Sequence, residues 1–213
     1  MYGMTTAHPS NYTKGRSARI EFLVLHYTAG RNDSAAAGLK YFESPRGASA
    51  HYFVDRDGWR QSVSDEDTAW SVGTAGIYTQ KHPRCRNGNS ISIEMCCSGS
   101  YHVSERTKAN AAALTAELCK LLGISGVDTY VLRHYDVTGK SCPRQMAGKN
   151  NAEWEAFKAS VKALLNEQPK PAPAPTTKEE TINMELRMLR RGMEGNDVRA
   201  AMLLMKDKGY YPD

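Results

Sequence analysis

The sequence contains no apolar run close to the ~18 residues that a membrane-spanning helix requires. Its first twenty residues, MYGMTTAHPSNYTKGRSARI, hold no apolar h-region. The first absence excludes a transmembrane anchor. The second gives the expectation of a chain made in the cytoplasm without a secretory signal; any action outside the cytosol then needs something else to export it or to break the membrane. No dense block of Lys and Arg is present, so a nucleic-acid arm is not expected. The net charge of +5 still favours a polyanionic neighbour such as an acidic wall, a membrane surface or nucleic acid. There is no CxxC pair, and the cysteines (Cys85, Cys96, Cys97, Cys119 and Cys142) are odd in number. Without an export signal this argues against a disulfide framework.

The chain does have an ordinary core complement, with 40% apolar residues in 213. Ile20 to His26 reads as a buried strand ending at a Gly turn. NDSAAAGLKYFES reads as a helix after an Asp/Ser cap, closed by Pro45. SAHYFVDRDGWRQSV is a hairpin about Asp57-Gly58. NSISIEMCC is a further strand, and a long mixed loop lies between the two. SERTKANAAALTAELCKLLG is a helix capped by Ser104 and stopped by Gly123. DTYVLRHYD is a short strand, and NAEWEAFKASVKALLNE an amphipathic helix with Trp154, Phe157 and Val161 on one face. Alternating strands and helices imply an α/β fold, a central mixed sheet flanked by helices. Residues 1–165 form the main domain and the Pro/Ala-rich stretch 166–181 a linker. Residues 182–213 are too few for an independent core.

The stretch LRHYDVTGKSCPR concentrates chemistry: His134, Lys140 and Cys142 lie within nine positions. Cys142 stands in a polar loop, where burial does not account for it, and Lys140 is placed to favour its thiolate. Catalytic zinc sites take three protein ligands and leave one position open. His134 and Cys142 supply two. His26, at the C-terminal end of the first strand, where α/β folds place their sites, is the candidate for the third. The bland alternative is two strand-end histidines and an idle thiol. Glu94 alternates with Ile91 and Ile93 and so faces away from them, and a carboxylate there is suited to general base work.

FLVLHYTAG, SAHYFVDRDG, NSISIEMC and RHYDVTGKSCP occur in the order found in the type 2 N-acetylmuramoyl-L-alanine amidases, a group that includes phage endolysins and is related to the peptidoglycan recognition proteins. The sequence resembles that family over roughly residues 15 to 165. The resemblance implies zinc (Zn2+) held by His26, His134 and Cys142, with Glu94 and Lys140 catalytic. It implies hydrolysis of the amide between N-acetylmuramic acid and L-alanine in peptidoglycan by a monomer that binds neither nucleic acid nor membrane. Trp70 and Tyr78 are candidates for a groove wall and Thr28 for a place beside the metal. Two positions depart from the family pattern. Ala50 replaces a tyrosine found in one branch, and Ser71 replaces a histidine found in many members. His51 is expected to pack in the core or to make a sheet hydrogen bond. The tail, LRRGMEGNDV to GYYPD, is similar to the first half of a peptidoglycan-binding module. The rival readings are a non-catalytic wall-recognition module, which the cysteine ligand disfavours, a bacterial autolysin or recycling amidase, and a nucleic-acid binder.

Overall fold

The computed structural model describes residues 5–99 and 101–166. The tail module, and the linker beyond Asn166, lie outside the described residues. In chain order the elements are β1 (Tyr12–Thr13), β2 (Phe22–Tyr27), α1 (Ala35–Phe42), β3 (Tyr52–Asp55), β4 (Gly58–Gln61), β5 (Thr68–Ala69), β6 (Ser90–Met95), α2 (Glu105–Leu122), α3 (Val127–Tyr130), β7 (Val131–Arg133), α4 (His134–Thr138) and α5 (Ala152–Asn166).

Five strands form the main sheet in the order β4-β3-β6-β2-β7. The β3–β6, β6–β2 and β2–β7 pairs are parallel and the β3–β4 hairpin is antiparallel, so the sheet is mixed. The inner strands β2 and β6 are apolar on one face because side chains alternate along a strand. Leu23, Leu25, Ile91, Ile93 and Met95 share that face by register and are fully buried. Helix α2 packs against β3 and β6, and α5 packs on α2. The opposite face carries Phe22 and Val24 with Leu132 of β7, closed by Val72, Cys85 and Val137.

The helix ends follow local chemistry. Ser34 accepts the Ala37 N–H at 3.1 Å and caps α1. Ser104 does the same for Thr107 at 3.2 Å, and Gly123 ends α2 in the left-handed region at φ 68°. Leu114 and Leu118 of α2 are fully buried, whereas Leu121 stands 55% exposed. Trp154, Phe157 and Val161 are the buried stripe of α5.

Two features differ from the expectation. The long loop contains β5, which pairs with β1 in a two-residue antiparallel ladder. DTYVLRHYD is not one strand but α3, the three-residue β7 and then α4. The break has a cause in Asp136, whose carboxylate reaches back to the Arg133 N–H at 2.8 Å and to its guanidinium at 2.6 Å. This caps α4 and starts it at His134. Gly139, at φ 80°, stops it one turn later. The buried Arg133 also donates to the carbonyls of Met146 and Gly148, tying the segment after Cys142 to the end of β7.

Candidate metal centre

Register brings the first two site residues together. β2 and β6 run parallel with His26 opposite Glu94, so both side chains leave the same face at the C-terminal ends of adjacent strands. β7 flanks β2 on its other side and delivers His134 at the first residue of α4. The chain then turns through Gly139 and Lys140 and returns to Cys142, whose carbonyl accepts the Tyr135 N–H at 2.9 Å. His26, His134 and Cys142 are all buried, and one ligand atom from each lies within 4.8 Å of the others. The two imidazole centroids are 4.8 Å apart, and Cys142 Sγ is 3.8 Å from His26 Nδ1.

These residues fit a zinc ion. A tetrahedral ion with ordinary Zn–N and Zn–S bonds sets its nitrogen and sulfur ligands roughly 3.6 Å apart, close to the spacing seen. His26 Nε2 and both ring nitrogens of His134 are buried without a hydrogen-bond partner, as is Glu94 Oε2. Buried polar atoms in native proteins are nearly always satisfied. Unpartnered nitrogens on two neighbouring rings beside a buried thiol are what an ion taking one donor atom from each residue would satisfy. His2Cys with an open fourth position is also the donor set of catalytic rather than structural zinc.

Electrostatics keep the metal-free ligands neutral. Burial, then the charges of His134, Lys140 and His51, hold His26 well below the usual imidazole range. Burial and Lys140 lower His134 to about 4, while the Gly73 carbonyl leans toward the ring and opposes them without full hydrogen-bond geometry. Neutral imidazole is the metal-binding form. Cys142 departs from the sequence expectation. It is only 2% exposed, and burial, reinforced by Glu94, pushes its thiol up to about 12. The Tyr27 backbone N–H and Lys140 favour the thiolate but do not outweigh desolvation. Metal uptake must therefore displace the thiol proton.

Burial likewise raises Glu94 to about 7, with Asp33 adding to the rise and Lys140 opposing it. This sets a pH dependence in the metal-free protein. The folded pKa lies above that of the unfolded chain, so ionising Glu94 disfavours the fold. Stability from this group falls as pH rises from the unfolded value near 4.5 to about 7 and is level above that. Metal-free Glu94→Gln is thus expected to be about 3 kcal/mol more stable than metal-free parent at pH 8, with the gap closing near pH 4. Denaturant unfolding at the two pH values checks this; an equal gap at both would contradict it.

Of the other predicted residues, Thr28 lies at the site's edge. It lines a groove of about 430 Å³ together with Asp33, Tyr41, Phe53 and Glu94. Its hydroxyl donates to Asp33 Oδ2 at 2.5 Å and accepts the Cys97 N–H at 3.3 Å. Trp70 and Tyr78 do not line that groove. The Trp70 indole N–H donates to Thr13 Oγ1 at 2.9 Å, which anchors the long loop to β1. Tyr78 is 37% exposed on a turn whose N–H groups return to the Thr74 carbonyl. His51 is enclosed: its Nδ1 meets the N–H and hydroxyl of Ser92 at 3.0 Å, and its Nε2 meets Arg16 at 2.8 Å. It ties β3 to β6 two residues before Glu94 and is not brought to the metal ligands. Ala50 is buried with Ala35, Phe53 and Cys96. The sequence reading missed Asp33 and the backbone of Tyr27 and Gly73. Asp33 looked like half of a helix cap, and backbone groups carry no sequence signal.

Residues 16–145 match the profile of the N-acetylmuramoyl-L-alanine amidase family. A probable N-acetylmuramoyl-L-alanine amidase of Bacillus licheniformis is 30% identical over 199 residues, 91% of this chain. The chain spans only 55% of that relative's length. The solved catalytic domain of XlyA superposes with a TM-score of 0.60 at 26% identity, over 74% of this chain and 95% of that one. A mutant endolysin from Bacillus subtilis gives 0.56 at 26% identity, over 74% and 92%.

Proposed function

We propose that this chain, which belongs to the N-acetylmuramoyl-L-alanine amidase family, is a zinc hydrolase that cuts the amide between the lactyl group of N-acetylmuramic acid and L-alanine in peptidoglycan. The observation that carries this reading is the convergence of His26, His134 and Cys142 beside the unpartnered Glu94 carboxyl. Those three residues would hold the ion. When bound, zinc supplies a Lewis acid for the amide carbonyl and brings the pKa of water down to roughly 7.

The chain's own groups do the rest. Glu94 Oε2, with a carboxyl poised near neutrality, takes the proton of the attacking water and delivers it to the leaving alanine nitrogen. Lys140 is half-buried and close enough to act on both histidines, Cys142 and Glu94. Its ammonium stabilises negative charge as the carbonyl becomes tetrahedral. The groove beside Glu94 receives the stem peptide, with Thr28 at its edge. Tyr78 is available to a sugar face, and Trp70 holds the loop that presents it.

The likeness to an endolysin and to the XlyA catalytic domain supports a role as a phage or prophage lysin. A bacterial autolysin of the same chemistry is separated from it by genomic context. Mass spectrometry of digested peptidoglycan tests the reaction. Free stem peptides with an L-alanine amino terminus, beside intact glycan, are expected; cleavage elsewhere in the peptide or glycan, or none, overturns the assignment.

A further inference from the structure

The carbonyl of Val137 sits in the last turn of α4, where the helix ends too soon to supply its own donor. Three groups from the long loop converge on it instead. The backbone N–H groups of Lys81 and His82 donate at 2.8 and 3.1 Å, and the Gln80 side-chain amide at 3.3 Å. The same amide donates to the carbonyls of His82 and Cys85, both at 3.1 Å. The loop is itself folded around one ring, since His82 Nδ1 accepts the Cys85 N–H at 2.9 Å and the Arg84 N–H at 3.3 Å. That ring packs edge-on against Phe22 of β2 at 5.0 Å. Across the helix end, the Lys81 side chain occupies the space that a Cβ on Gly139 would fill.

Neither Gln80 nor His82 has a part in the chemistry above, yet they hold the end of α4, the short helix that lies between two metal ligands. α4 begins with His134, and the chain reaches Cys142 four residues after the helix ends. We propose that Gln80, Lys81 and His82 form a clasp that positions α4, and through it His134 and Cys142, and that neutral His82 keeps the clasp closed by accepting hydrogen bonds at Nδ1. These are positioning residues that act through Val137, not groups that touch the substrate. The inference rests on the metal-site reading only for its effect on zinc.

The closure is expected to depend on pH. A protonated ring cannot accept at Nδ1, so the two backbone donors would face a cation. Burial, then Arg84 and Arg86 on its own loop, hold His82 below the usual imidazole range, with Asp136 of α4 opposing. Glu21, before β2, is engaged by Arg84 at 2.7 Å, and Tyr130 of α3 lies against Phe22 rather than the imidazole. A lowered folded pKa means that the stabilisation is present above the unfolded value near 6.5 and is lost as pH falls through the folded value.

Two variants separate the parts. His82→Asn offers a side-chain oxygen to the same N–H groups, as in an Asx turn, and cannot ionise. His82→Leu keeps the apolar contact with Phe22 and removes the acceptor. Chelator competition at pH 7.5 should show zinc affinity about 10-fold weaker or more in the Leu variant, the scale of outer-sphere changes, with the Asn variant close to the parent. Amide exchange of metal-free protein provides the second readout. Protection of residues 81–85, corrected for intrinsic rates, should fall between pH 7.5 and 5.5 in the parent but hold in His82→Asn. Parent-like zinc affinity in His82→Leu, or an Asn variant that loses protection in step with the parent, overturns the proposal. If the parent itself binds no zinc, the metal reading fails, and the exchange series still decides the clasp.

Discussion

Cys142→Ser is expected to leave the protein folded, to abolish retention of near-stoichiometric zinc and to lower the rate of wall hydrolysis by on the order of 10³-fold. The parent sulfur sits 3.8 Å from His26 Nδ1 and is buried, so no solvent-exposed group stands ready to replace it. A serine hydroxyl does not ionise at neutral pH and is a far poorer zinc donor than thiolate. The fold should survive because Cys142 anchors its loop through the backbone, with its carbonyl on Tyr135 and its N–H on Lys140. Zinc bound as proposed would also stabilise the parent by mass action, by about 4 kcal/mol at a free concentration 1,000 times its Kd. Added zinc should therefore raise the melting temperature of the parent and not that of the variant. Wall hydrolysis undiminished in Cys142→Ser would remove the cysteine from the site.

Glu94→Ala carries the second large effect, a loss of about 10²-fold or more in rate with zinc still bound. The two halves of that outcome test different things. Retained zinc is expected because Glu94 is not among the three ligands, although its β6 position is in register with His26. The rate loss is expected because the Glu94 carboxyl is held near neutrality by burial, where proton acceptance and release are both accessible. Zinc content by metal analysis and turnover on purified wall read the two halves separately. Normal turnover would take Glu94 out of the mechanism. Lost zinc would make it a fourth ligand rather than a base.

The departures Ala50 and Ser71 sharpen the burden on Glu94. Ala50 packs into a core cluster, and the Ser71 hydroxyl is buried without a hydrogen-bond partner. On the proposed mechanism, proton transfer then rests on Glu94 and oxyanion stabilisation on Lys140.

What was legible in the sequence follows the range of the forces involved. The β3–β4 turn at Asp57-Gly58, the Ser104 and Gly123 ends of α2 and the Trp154-Phe157-Val161 stripe of α5 are set by neighbours within one or two turns. They read directly. The β1–β5 ladder joins two dipeptides 56 residues apart and has no local signature. α4 hid inside a strand-like run because its start depends on one side chain, Asp136, reaching backwards. At the site, the alternation Ile91, Ser92, Ile93, Glu94 does place Glu94 opposite the apolar layer. His26 at a strand end was readable for the same reason. The environment of Cys142 was not. Its surroundings come from Tyr27, Glu94 and His26, all distant in the chain, so a polar-looking loop residue is in fact enclosed. Burial of the Cys142 thiol thus outweighs the pull of Lys140 that its nearness in sequence suggested.

The most direct test of the central claim is zinc-edge X-ray absorption on the protein as purified, with metal content measured on the same sample. The account predicts about one equivalent of zinc with a single sulfur near ~2.3 Å and nitrogen or oxygen ligands near ~2.0–2.1 Å, two of them imidazoles. Zinc bound without a sulfur neighbour, or no zinc bound after metal loading, would contradict it.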